Sequence, residues 1–148
     1  MFKVLSATQN PETHQLIKKA IQSMPEQFRL CGQFLNSVDA LEIAIVQRPD
    51  IIFLNDQMNF IGIAQFMRSL ARKGIRALYV VLQTTSESPH LAQSNHLIKA
   101  VIPERSATEE ELKKVLQKLS MDLNSKEALT YYPPLSTEPN DSEFPWIS

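Results

Sequence analysis

Few residues in this chain could do chemistry, and their spacing limits what that chemistry would be. The histidines are His14, His90 and His96. No two stand at ligand spacing and none has a cysteine or an acid pair beside it, so no metal site is expected. Cys31 is the single cysteine, which leaves no partner for an intramolecular disulfide. On an alternating stretch with Arg29 and Gln33, nothing marks its thiol as activated. Thr84-Thr85-Ser86 supplies hydroxyls without a His/Asp pair at a predictable position, and reads as a loop. Gly32, Gly62 and Gly74 are too far apart to cradle a phosphate. Asp56 follows an apolar run and, in extended backbone, points away from the side of its neighbour Asn55; a solvated loop acid is the expectation. Asp50 begins that run, roughly 15 Å from its far end at ~3.3 Å per residue. No catalytic residue, no cofactor and no enzymatic activity are expected from this set.

The elements that must position these residues alternate between strand and helix signals. Phe2 to Ala7 is a short apolar-rich run. Asn10-Pro11-Glu12 starts a helix carrying Leu16, Ile17, Ala20, Ile21 and Met24 on one face. Phe28, Leu30 and Phe34 alternate with Arg29, Cys31 and Gln33, the period of a strand. Ser37 or Asp39 is expected to cap a helix with Ala40, Leu41, Ala44 and Ile45, ended by Pro49. Ile51-Ile52-Phe53-Leu54 and Ala77 to Leu82 are apolar throughout, as strands buried on both faces must be. Between them, Ile63, Phe66, Met67, Leu70 and Ala71 form an amphipathic helix closed by Gly74. Ser88 to Ser94 is a short helix candidate, and Leu97 to Ile102 is a fifth strand interrupted by Lys99. Thr108 and Glu111 form a capping box for a last helix carrying Leu112, Val115, Leu116, Leu119 and Leu123. The pattern predicts an α/β fold: a five-stranded, mostly parallel sheet with helices on both faces. Sites in such sheets lie beyond the carboxyl ends of the strands, at Thr8, Gln9, Asn55, Asp56, Gln83, Thr84, Ile102 and Pro103.

With 148 residues, 43% of them apolar, and a net charge of −1, the chain suits one domain and lacks the basic excess of a general nucleic-acid or acidic-membrane surface. No apolar run approaches the ~20 residues of a membrane span. The start of the chain lacks the features of a signal peptide, and a cytoplasmic setting is expected. Composition shifts near residue 124, giving a domain over 1–123 and a tail over 124–148. The tail holds Pro133, Pro134, Pro139 and Pro145 and carries net −3 against +2 for the domain. From Lys126 onward it is expected to be extended or disordered. It also holds Tyr131, Tyr132, Phe144 and the single tryptophan, Trp146, and is expected to be a recognition segment because aromatics dominate contact energies. Arg68, Arg72, Lys73 and Arg76 cluster at a helix end, where cations complement the helix dipole.

Order and spacing over residues 1 to about 123 resemble the response-regulator receiver domains of two-component signalling. Ser37-Val38-Asp39-Ala40-Leu41-Glu42 through Arg48-Pro49-Asp50-Ile51-Ile52-Phe53-Leu54 looks like the family's second helix running into its third strand. Lys3-Val4-Leu5 followed by Asn10-Pro11-Glu12 looks like its first strand and loop, and Ile102-Pro103 stands where the family has Lys-Pro. The resemblance implies the receiver, flavodoxin-like topology. It also sets the family's functional positions. Thr8 and Gln9 replace two magnesium-holding carboxylates, and Asn55 replaces the phosphate-accepting aspartate. Gln83 (Thr84 if the register slips by one) stands for the hydroxyl residue, Ile102 for the lysine, and Lys99 for the aromatic switch.

All these positions depart together. An amide is neither a nucleophile nor charged, and magnesium needs oxygen ligands that usually include carboxylates. Without those acids, a lysine would be an uncompensated cation. The expectation is therefore a neutral pocket whose amides and hydroxyl satisfy one another. The expected function is a signalling module that works by binding one or more proteins, a second copy of itself among the candidates, without phosphorylation. The alternative is a small ligand-binding or catalytic α/β domain using that pocket.

Overall fold

Apolar runs that must be covered on both faces set the architecture. The computed structural model of the protein describes residues 1–58, 60–84 and 96–129, the last five of these by backbone alone. Five strands, β1 (Phe2–Ala7), β2 (Phe28–Phe34), β3 (Ile51–Asn55), β4 (Leu78–Gln83) and β5 (Ile98–Pro103), form one sheet in the order β2-β1-β3-β4-β5. Every neighbouring pair is parallel. All five residues of β3 are buried, as are the first five of β4.

The helices are α1 (Pro11–Gln22), α2 (Ser37–Gln47), α3 (Ile63–Arg72) and α4 (Glu109–Leu129), with a short 3-10 turn at Glu104–Ser106. Right-handed crossovers put α1 on one face, because the chain moves from β1 outward to β2. They put α2 and α3 on the other, because it then doubles back to β3 and β4. Accordingly α1 packs on α4, and α2 on α3. The reversal of direction at β1 and β3 opens a crevice at their carboxyl ends.

Local sequence explains the helix ends. Asn10 caps α1 by accepting from Glu12 N at 3.0 Å, with Pro11 in the first turn. Thr108 and Glu111 exchange backbone-to-side-chain bonds of 3.2 and 3.4 Å, the capping box expected for α4. Gly74 ends the α3 segment at φ 76°. The cap of α2 is a correction: Asn36, rather than Ser37 or Asp39, accepts from Asp39 N at 2.8 Å. Asparagine stands in the extended position before the first turn that a cap requires. Ser37 is instead buried, and its Oγ accepts from Ile61 N at 2.9 Å, tying the β3–α3 loop to the start of α2.

Helix α4 runs to Leu129, so residues 126–129 are helical where an extended segment was expected. Lys-Glu-Ala-Leu is a run of strong helix formers, and the first proline stands only at 133. The helix expected over Ser88 to Ser94, His90, and the aromatic residues of the tail lie outside the described residues.

Candidate functional site

The loops leaving β1, β3, β4 and β5 meet around a cavity of about 330 Å³, lined by Thr8, Gln9, Asn10, Asn55, Gln57, Thr84, Glu104 and Arg105. Its floor is a bonded side-chain network. Glu104 is the first residue of the 3-10 turn, and its side chain is buried at 7% exposure. Thr8 donates its hydroxyl to Glu104 Oε2 at 2.6 Å, the short distance of a charge-assisted bond. Asn55 Nδ2 donates to Glu104 Oε1 and, with its other hydrogen, to Thr84 Oγ1 at 2.9 Å. Asn55 Oδ1 accepts from Gln57 N at 2.6 Å, which fixes the amide's orientation. Thr8 Oγ1 also accepts from Asn10 N at 3.3 Å, and Thr8 N donates to Phe34 O at 3.1 Å. One carboxylate thus joins the ends of β1, β3 and β5, and through Asn55 the end of β4.

The cavity is not the neutral one expected. Pro103 closes the β5 ladder at φ −62° and leads into the 3-10 turn, whose first residue folds its side chain back over the sheet end. Glu104 stands one residue past the strand-end positions chosen from sequence. The signal was a charged pair, Glu104-Arg105, directly after the strand-ending proline. Among the described residues Glu104 has no ion-pair partner.

The structure brings together Thr8, Gln9, Asn55 and Thr84 of the positions named from sequence, and adds Asn10, Gln57, Glu104 and Arg105. Gln83 does not line the cavity: Asn55 pairs in register with Leu82, and the loop hydroxyl that reaches the amide is that of Thr84. Ile102 is in the core at 4% exposure, because alternation along β5 turns it into the sheet's packing. Lys99 is half-buried on β5, away from the cavity. Asp56 is not a solvated acid: its Oδ1 accepts from Thr84 N at 2.9 Å and its Oδ2 is buried without a partner among the described residues. Asp50 sits at the opposite end of the sheet, accepting from Lys3 N at 2.8 Å.

The other reactive side chains have structural surroundings. His14 is buried; its Nε2 donates to Phe34 O at 3.2 Å and its Nδ1 lies 2.9 Å from Ser6 Oγ. His96 is exposed before β5. Cys31 falls where the β1–β2 register shifts, and burial pushes its thiol up from the ordinary value. No group of three His, Cys, Asp or Glu able to hold a metal gathers among the described residues.

Comparison with known proteins places this arrangement. No family model and no curated protein matches the sequence. Solved structures do. The receiver domain of AraT, a response regulator from Geobacillus stearothermophilus, superposes with a TM-score of 0.74 at 18% identity, over 85% of this chain and 98% of that one.

This is the receiver fold.

The receiver domain of the response regulator NarL from Mycobacterium tuberculosis gives a TM-score of 0.67 at 16% identity, over 81% and 96% of the two chains. CheY4 of Vibrio cholerae, a chemotaxis response regulator, gives 0.62 at 18%, over 80% and 98%. The receiver fold explains why the cavity lies where it does: it is the crevice at the strand-order reversal. Magnesium, which the resemblance implies for this crevice, does not fit the donors present. Thr8 and Gln9 carry no charge, and both oxygens of the one carboxylate already accept from Thr8 and Asn55.

Proposed function

We propose that this chain is a receiver-fold regulatory module that acts by binding other proteins and is not switched by phosphoryl transfer at the crevice. The receiver fold supports a signalling role. The observation that carries the finer reading is the Glu104 network. Receivers place an acyl phosphate beside the hydroxyl and amide donors of this crevice. Here a resident carboxylate, Glu104, accepts from Thr8 and Asn55, the residues that stand at a magnesium-holding carboxylate and at the phosphate-accepting aspartate. Asn55 has no nucleophilic oxygen, and an incoming phosphoryl group meets a resident carboxylate, with Arg105 rather than a strand-end lysine as the cation of the lining. Thr84 is already held by Asn55, so the loop hydroxyl has its partner before any modification. No helix among the described residues is long and apolar enough to cross a membrane, and the expected partners are proteins in solution.

The test is a two-dimensional NMR titration of the full chain with magnesium, then with beryllium fluoride and acetyl phosphate. The expected result is unchanged resonances at residues 8–10, 55–57 and 84. A magnesium-dependent shift centred there would overturn the reading.

The cavity supports a second reading. Its walls are side-chain amides and hydroxyls from Gln9, Asn10, Gln57 and Thr84 with the Arg105 guanidinium beside them, a lining suited to a small polar ligand. The same titration with a panel of polar metabolites separates the two, since a saturable shift at these residues favours the ligand-binding domain.

A further inference from the structure

The end of the molecule opposite the crevice carries a charge pattern that the regulatory reading leaves unused. Helices antiparallel to the strands all finish there. Lys19 lies in the last turn of α1, Arg48 caps α2, Arg72 is in the last turn of α3 and Lys73 caps it. All four are exposed, as is Arg76 just before β4. The acids at this end are fewer: Asp50 is engaged by Lys3 N, Glu26 is exposed and Asp122 is half-buried on α4. Within this basic end stand two large apolar side chains open to solvent, Val46 and Met1, each at 72% exposure.

The chain leaves the domain at this same end. Ser120 and Asn124 of α4 share a hollow with Met1, Phe2, Glu26, Gln27 and Asp50, so α4 descends past the amino ends of the strands before reaching Leu129. The 19 residues that follow hold Glu138, Asp141 and Glu143, no lysine or arginine, and four aromatic residues, Tyr131, Tyr132, Phe144 and Trp146. Trp146 is 17 residues beyond Leu129, a reach of up to roughly 55 Å. Crossing from the α4 face to the α2–α3 face means passing a sheet about 20 Å wide and layers about 10 Å thick.

We propose that residues 130–148 dock in cis on the basic end of their own domain, the acids facing Arg48, Arg72 and Lys73 and the aromatic pair Phe144 and Trp146 covering Val46. Opposite charge brings the segment to this end, and aromatic burial supplies the contact energy that exposed ion pairs alone do not. A short tether raises the effective concentration of the segment at the surface, to the millimolar range for short flexible linkers, so modest contacts suffice. Proline at 133, 134, 139 and 145 reduces the entropy lost on ordering. The inference is independent of the crevice and stands whichever reading of the cavity holds.

Trp146, the single tryptophan, makes the test direct in the full chain. Its emission is expected to be blue-shifted, and acrylamide is expected to quench it about threefold less than a free indole, as for a ring packed against a protein surface. High salt should abolish the protection, because exposed charges farther apart than the Debye length of about 8–10 Å are screened. Arg48→Gln with Lys73→Gln should do the same, and so should Glu138→Gln, Asp141→Asn and Glu143→Gln together, which leave the domain untouched. Free-indole quenching in the unmodified chain, or protection that survives the tail substitutions, would overturn the proposal. Protection that grows with protein concentration would also overturn it, assigning the contact to a second copy.

Discussion

Asn55 is a hydrogen-bond donor before it is anything else. Its Nδ2 serves Glu104 and Thr84 at once, which no carboxylate can do. Asn55→Asp, the substitution that restores the family's acceptor residue type, therefore sets two carboxylates against each other in a buried site. The protein should lose about 2–4 kcal/mol at neutral pH, from the like-charge contact and the hydrogen bond to Glu104 that the amide no longer donates. The pair's protonation is raised in the folded state relative to the unfolded chain, so folding takes up a proton and stability falls as pH rises. The penalty against the unmodified protein should accordingly be smaller at pH 4 than at pH 7, measured by urea denaturation at each pH. An equal loss at both would show that Asn55 and Glu104 are not coupled. Asn55 and Thr8 were legible in the sequence as positions because strand ends were legible. Glu104 was not, because its role depends on a turn after Pro103 that reverses one side chain, and no periodicity reports such a reversal.

At the scale of elements, the readable parts are those whose burial pattern is their sequence pattern. Ile51–Leu54 and Leu78–Leu82 are buried on every residue, and the heptad-like spacing of Ile63, Phe66, Met67, Leu70 and Ala71 is the buried face of α3. Caps are less legible, because several polar residues compete within one turn. Asn36, Ser37 and Asp39 all qualify by type, and the chain resolves the choice by burying Ser37 against Ile61 N. Asn36→Ala should thus cost about 1 kcal/mol, the usual value of a lost helix cap, read as a shift in the urea midpoint at unchanged slope. A change below the measurement error would place the cap elsewhere. The register at β4 leaves two residues open in the sequence: the apolar run predicts the strand, and pairing of Asn55 with Leu82 together with the Asn55–Thr84 bond decides for Thr84 over Gln83.

For the whole molecule, the core runs through the central strands, and an ionisable phenol lies within it. Tyr79 on β4 is 1% exposed, and burial raises its phenol well above the ordinary value near 10. The unfolded chain releases this proton once pH passes about 10, while the folded one retains it, so the contribution to stability is present below that pH and is lost as pH rises further. Stability measured from pH 8 to 11 should fall at the alkaline end, and Tyr79→Phe should flatten that fall. An unchanged slope in the variant would assign the alkaline loss to other groups.

The bond between Thr8 and Glu104 spans 96 positions of sequence, which bears on how the chain is made. The first strand emerges from the ribosome early, yet its two neighbours are β2 and β3, and its loop residue Thr8 waits for Glu104. At about 5–20 residues per second, this wait lasts roughly 5–20 s after Thr8 is synthesised, during which Val4 and Leu5 have no completed sheet to enter. Once β3 and β4 have been made, the nascent chain must spend the rest of that interval with its most apolar strands uncovered, so its vulnerability to aggregation and its demand for chaperones should peak just before β5 is translated.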